Sequence, residues 1–224
     1  MNRYYLSFDC GTKTFAYTFV KINHEYFNLE NIKELKKIVL FIKSQDDITP
    51  YIDTLNKINH IVDNTVNIIF SDCIDLLPEK NNDDISTIER VKLASKHIKD
   101  HICPLIKDIS KEDIEVLVEF QMSYNTQSKI ISIIILTMFH EYNIQLVQPS
   151  YKNKISLTEA GKLHHFTEKY KRQYDANKQH TIYNFNSFET LFNQNSGISD
   201  KLKGHVADAF MQIIGYLYNK KLKM

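Results

Sequence analysis

Apolar and aromatic residues crowd into two short runs at the start of the chain, separated by a single turn. Residues 3–9 (Arg-Tyr-Tyr-Leu-Ser-Phe-Asp) read as a strand that ends on an acid. Residues 14–22 are β-branched and aromatic with partial alternation, and read as a second strand. Gly11-Thr12-Lys13 is the turn chemistry between them, so the pair is expected to form a hairpin. Residues 35–42 (Leu-Lys-Lys-Ile-Val-Leu-Phe-Ile) predict a third strand and complete an antiparallel meander. The period then lengthens. Ile52, Leu55, Ile58, Ile61 and Val62 share one face of a helix over 49–63. Residues 66–76 are apolar without a decisive period, and 81–84 form a polar loop. Ser86-Thr87-Ile88-Glu89 is a capping signal for a helix to about residue 108, which Pro104 ends or kinks. Residues 114–120 predict a fourth strand, again ending on an acid. The isoleucine run within 124–142 has strand propensity, but the stretch is too long for a strand and reads as a helix. Residues 144–147 give a fifth strand, closed by Pro149. A polar, basic stretch over 150–200 holds one helix near 175–192, and a last helix spans 203–220.

A three-stranded meander followed by alternating helix and strand predicts an α/β chain. Its mixed five-stranded sheet has three antiparallel strands, then parallel ones, with helices on both faces. That order is the ribonuclease H-like architecture. At 224 residues, 43% of them apolar, the chain suits a single domain over 1–224, with an acid-rich insertion at about 45–85. No run of eighteen apolar residues exists, so no membrane partner is expected. The first residues enter a strand directly and show no leader. Cys10, Cys73 and Cys103 are odd in number and lack CxxC spacing, which points to a reducing, cytoplasmic setting and away from structural zinc.

Charge changes this picture. The total is +1, from 28 Lys+Arg against 27 Asp+Glu, but it is unevenly placed. Residues 45–85 carry nine acids against two lysines. Residues 149–184 carry seven bases against three acids, and 201–224 five lysines against one acid. A basic C-terminal third is the footprint of a polyanion-binding face.

The candidate chemistry lies at the strand ends. Asp9 closes the first strand and Glu119 the fourth, each after an apolar run. If those strands are neighbours, ~4.8 Å apart, both carboxylates share one end of the sheet. Carboxylates that close repel unless a cation or a proton intervenes. Hard oxygen ligands suit Mg²⁺ or Mn²⁺. On the last helix His205 and Asp208 are three apart on one face, and the stripe continues through Gln212 and Gly215 between two apolar flanks. Such a stripe is expected to press inward. Two ions about 3.5–4 Å apart in such a cluster could activate water and stabilise a leaving oxygen in phosphodiester hydrolysis. A lone acid after a strand is usually a cap, and a lone histidine usually a surface or satisfied core group. The conjunction of two strand-end acids with an inward polar pair is what singles these residues out.

These segments resemble RuvC-like Holliday junction resolvases, in the form found in poxviruses and other large cytoplasmic DNA viruses. The resemblance is carried by Phe8-Asp9-Cys10-Gly11-Thr12-Lys13, Val118-Glu119-Phe120-Gln121, Val147-Gln148-Pro149-Ser150 with Lys152 and Lys154, and His205-Val206-Ala207-Asp208. The segment Asp72-Cys73-Ile74-Asp75-Leu76-Leu77-Pro78 also resembles the viral forms. The resemblance implies a homodimer that binds branched DNA and nicks four-way junctions symmetrically with divalent metal, in viral recombination or concatemer processing. It makes Asp9, Glu119 and Asp208 metal ligands, with His205 standing where many members have an acid. Lys152 and Lys154 are both candidates for a basic residue near the site. DNA contacts are expected from Lys13, Lys152, Lys154, Lys162, Lys171, Arg172, Lys178, Lys201 and Lys203. The helix at 124–142 is apolar on nearly all sides, which suits burial against a second copy; burial under the acidic stretch is the alternative.

Other readings stay open. Asp9-Cys10-Gly11-Thr12-Lys13-Thr14 also resembles the first phosphate loop of actin-like ATPases, but those duplicate the unit and need a second glycine-rich loop. Only four glycines follow Gly11. A branched-DNA-binding module that no longer cuts, and a nuclease of the same fold acting on RNA–DNA hybrids, complete the set.

Overall fold

Largely apolar runs at 4–8 and 114–118, each interrupted by one buried polar residue (Ser7, Glu115), form the two strands at the centre of the sheet. A computed structural model of the chain describes residues 2–11, 13–45, 47–76, 87–120, 126–153, 155–156, 158–192, 194 and 197–221. Five strands, β1 (Asn2–Cys10), β2 (Thr14–Asn23), β3 (Val66–Asp75), β4 (Ile114–Glu119) and β5 (Asn143–Val147), lie in the order β3-β2-β1-β4-β5. The β1–β2 and β2–β3 pairs are antiparallel, and β1–β4 and β4–β5 are parallel. This is the mixed sheet expected of a ribonuclease H-like α/β fold. Eight helices accompany it among the described residues: α1 (Leu29–Lys43), α2 (Ile52–Asp63), α3 (Thr87–His97), α4 (Cys103–Ile106), α5 (Thr126–Met138), α6 (Leu163–Lys169), α7 (Gln173–Leu191) and α8 (Asp200–Lys221).

The third strand is not where the pattern put it. Residues 35–42 belong to helix α1, and the ambiguous 66–76 stretch supplies the antiparallel edge strand β3. The reason is the spacing of the residues that are buried. Ile32, Leu35, Val39 and Ile42 recur at helical intervals and pack on the core, while Leu40 and Phe41 are more than half exposed. The acid-rich stretch 45–85 therefore contributes β3 to the sheet and α2, whose Ile58 and Val62 pack into the core beside it. Before Pro104 the helix widens into a π turn (Ile98–Ile102), which seats a ring that lacks an N–H at the start of α4. The loop at 81–84, Ser86 and residues 121–125 lie outside the described residues.

Alternation along β1 divides the core. Leu6, Phe8 and Cys10 face α3, the π turn and α5, where Ala94, Ile98, Ile102, Ile131 and Ile135 pack against them. Tyr5, with Leu117 of β4, faces α8 and α7, where Phe210 meets Phe185 and Phe188 edge-on. The isoleucine run of α5 is thus split: Ile131 and Ile135 point inward, and Ile133 stays 51% exposed.

Helix α8 lies close to the turn Pro149–Asn153 because Gly215 has no side chain. A Cβ there would sit 2.4 Å from the Tyr151 carbonyl oxygen. Lys152 follows Tyr151 in that turn, so this contact fixes where Lys152 emerges. An exposed helix gains up to about 1 kcal/mol from Gly→Ala. Here overpacking reverses the sign. Gly215→Ala is expected to cost about 1–3 kcal/mol, read as a lower urea midpoint at unchanged m. A stabilised variant would refute the close approach.

Helix α7 buries His180, which is 1% exposed and packs edge-on against Phe166. Its Nδ1 has no partner among the described residues. Burial pushes this imidazole down to about 4. A group whose folded pKa lies below its unfolded one binds its proton preferentially when unfolded. Its contribution is therefore complete above the unfolded value of about 6.5 and declines as pH falls toward 4, by roughly 2–3 kcal/mol. Denaturation curves between pH 7 and 4 are expected to show this decline and His180→Gln to flatten it; equal slopes in both proteins would contradict the assignment.

Candidate functional site

The parallel register aligns Phe8 with Val118, so Asp9 and Glu119 leave adjacent strands one residue later, at the same end of the sheet. Alternation puts both on the face that meets α8. From α8, His205 and Asp208 project into the same place. His205 Nδ1 lies 3.1 Å from Asp9 Oδ2. Ligand atoms of Asp9, His205 and Asp208 all fall within 4.8 Å of one another. Below them the face continues into Ser7 and Gln212, buried residues whose side-chain polar atoms have no partner among the described residues.

Two lysines stand among the acids. Lys152 Nζ is 2.9 Å from Glu119 Oε2 and 3.4 Å from Asp208 Oδ1. Lys178 of α7 donates to Asp208 Oδ2, and to the Gly204 carbonyl at 2.8 Å. Gly204 is needed for that approach, since a Cβ would lie 2.6 Å from Lys178 Cε. Thr14 Oγ1 sits 3.3 Å from the His205 ring nitrogens, tying the hairpin to α8. Side chains of Asp9, Glu119, Lys152, Asp208 and Lys178 are 11–19% exposed, so their charges act with little solvent screening.

The titrations follow from this packing. Burial pushes the Asp9 carboxyl up, but the His205 hydrogen bond and the Lys152 and Lys178 charges outweigh it and hold the group below the usual carboxylate range. Burial raises Glu119, helped by Asp9 and Asp208 and only partly opposed by Lys152. For Lys152 burial favours the neutral amine, yet Asp208, Glu119 and Asp9 together drive its pKa above the ordinary lysine value. The three carboxylates thus favour the ammonium form of Lys152.

A cleft of about 460 Å³ opens over the cluster, lined by Asp9, Lys13, Thr14, Glu119, Lys152, Tyr174, Lys178, His205 and Asp208 among others. A second space of about 420 Å³ shares Lys152, Tyr174, Lys178 and Asp208 with it and extends past Gln148, Ser150 and Asn177. Together they form one groove with the acids at its floor and Tyr174, 72% exposed, at its rim. Three carboxylates against two ammoniums leave room for more positive charge. The oxygen-rich donor set with one imidazole fits a hard divalent cation such as Mg²⁺ or Mn²⁺.

Asp9, Glu119, His205, Asp208 and Lys152 are thus brought together as the sequence suggested. Lys154 and the Lys201 side chain lie outside the described residues. Lys13 lines the cleft. Lys162 pairs with Glu159 and Arg172 with Asp175 on the surface, and Lys171 is exposed beside Arg172. Lys203 is held by Glu189 at 2.9 Å over the Phe185 ring. Lys178, expected as a DNA contact, lines the groove and also pairs with Asp208. Tyr174, Asn177, Lys178 and Thr181 line the groove at helical intervals, a signal that was present in the sequence but buried in a stretch without apolar contrast.

No protein-family model matches the sequence, and neither does any curated protein. The solved structures that align with the chain include two of Thermus thermophilus RuvC. Thermus thermophilus RuvC in complex with a Holliday junction substrate does so with a TM-score of 0.48 and 8% identity, over 98% of this chain and 96% of that one. A second Thermus thermophilus RuvC structure gives a TM-score of 0.46 and 8% identity, over 96% and 94%.

Proposed function

We propose that this chain is a divalent-metal-dependent endonuclease that resolves four-way DNA junctions, a homodimer placing paired symmetric nicks. One observation carries the reading: Asp9, Glu119, His205 and Asp208, from three separate elements, converge at the floor of a groove that lysines also line. The motif resemblance in the sequence supports the branched substrate. The exposed Ile133 on α5 supports a second copy as its cover.

Asp9, Glu119, His205 and Asp208 would hold Mg²⁺ or Mn²⁺, which when bound supplies an activated water and charge neutralisation at the leaving oxygen. The chain's own residues do the remainder. Asp9, held below the usual carboxylate range, is ionised throughout the neutral region. His205 is oriented by Asp9 on one side and Thr14 on the other. Lys152 and Lys178 give up carboxylate partners for a backbone phosphate when DNA enters, so the groove exchanges one set of charge pairs for another. Lys13 adds positive charge to the cleft wall, and the exposed Lys171 and Arg172 stand just before Tyr174 in the chain. Affinity is expected to fall with salt as phosphate contacts release counterions.

The test is a synthetic four-way junction incubated with the protein and Mg²⁺, with EDTA as control. Nicking is expected with metal alone, and Asp9→Asn is expected to abolish it while leaving junction binding intact. A bound junction that the wild-type protein does not cut, or an Asp9→Asn variant that still cuts, would overturn the reading.

A further inference from the structure

On the sheet face opposite the acid cluster, polar groups meet without satisfying one another. Cross-strand register sets Tyr17 of β2 opposite Asp72 of β3. His97, the last residue of α3, packs its ring edge-on against Tyr17 at 5.6 Å. Tyr17 is 0% exposed, and its hydroxyl has no hydrogen-bond partner among the described residues. His97 Nε2 is buried and equally without one. Asp72 Oδ2 faces that nitrogen at 3.8 Å, too far for a hydrogen bond. Buried polar atoms in a native core are nearly always paired, so an open pair beside a carboxylate calls for a partner. His101 lies alongside, its ring 4.6 Å from that of His97, carried there by the π turn.

We propose that Asp72, His97 and His101 form a transition-metal site, suited to Zn²⁺, that ties the edge strand β3 to the end of α3. An ion about 2.0–2.2 Å from each donor bridges a gap the size of that between His97 Nε2 and Asp72 Oδ2. Two histidines four apart on a helical segment are a recurrent zinc-binding pair. His101 is exposed, so a side-chain rotation completes the third position at little cost. Two imidazoles and one carboxylate select zinc over magnesium, the reverse of the oxygen-rich cluster on the other face. The Tyr17 hydroxyl then has a use, as an outer donor that orients the Asp72 carboxylate. The site stands apart from the groove and does not rest on the nuclease reading.

The experiment uses the full chain stripped with EDTA and titrated with Zn²⁺ for thermal melting and with Co²⁺ for its visible absorption. Apart from any ion taken by the oxygen-rich cluster, one tight equivalent is expected, with a raised Tm and a tetrahedral cobalt band. Both are expected to vanish in His101→Ala and in Asp72→Asn, whose side chains reach solvent, and Tyr17→Phe is expected to bind about 10–100-fold more weakly. Asp9→Asn is expected to bind normally, and so is His164→Ala, which breaks the exposed Glu159–His164–His165 group, whose ligand atoms lie within 4.8 Å of one another. No Tm rise and no cobalt band in the unmutated protein would overturn the site. So would binding that survives both His101→Ala and Asp72→Asn, or that disappears with Asp9→Asn or His164→Ala.

Discussion

Three carboxylates gathered at one end of a sheet cannot coexist without positive charge among them, and this constraint organises the molecule. Asp9, Glu119 and Asp208 are each mostly buried, so water does little to separate them. Lys152 and Lys178 supply the compensation in the chain alone, one from the turn after β5 and one from α7. The elements that carry those lysines must therefore close over the sheet edge. A polyanion that takes the lysines, or cations that take the acids, meets a cluster already poised to exchange partners.

Helix α8 is the element on which this closure depends. Its inward stripe begins with Gly204 and His205, passes through Asp208 and Gln212, and ends at Gly215. The two glycines let α7 and the 149–153 turn approach closely enough to deliver a lysine each. The apolar flanks, Val206, Phe210, Ile213 and Ala207, Met211, Ile214, are fully packed on both sides and hold the stripe in register over the strand ends. The chemistry-bearing positions are thus fixed by a helix that is buried along most of its length, not by a loop.

Much of this was legible in the sequence. An acid closing an apolar strand has a fixed direction once the strand is central, and Asp9 and Glu119 could be singled out once they were read together with the polar pair on the last helix. His205 and Asp208 could be paired because three residues apart means one helix face. The third strand could not be placed. Residues 35–42 and 66–76 are both short apolar runs, and only burial shows that Ile32, Leu35, Val39 and Ile42 form a helical stripe while 66–75 pairs with β2. Lys178 was visible as a basic residue and not as a partner of Asp208, since that pairing joins residues 30 apart through tertiary packing. The Tyr17–Asp72–His97 meeting is of the same kind: it depends on cross-strand register and on a π turn, neither of which leaves a periodic trace.

The central claim is that Asp9, His205, Asp208 and Glu119 are a cation site which the lysines only neutralise in its absence. Anomalous diffraction from crystals soaked in Mn²⁺ tests it most directly. The account predicts a peak within coordination distance of Asp9, His205 and Asp208, with Lys152 drawn away from Glu119. Saturating Mn²⁺ with no peak there, and both lysines still bound to their carboxylates, would contradict it.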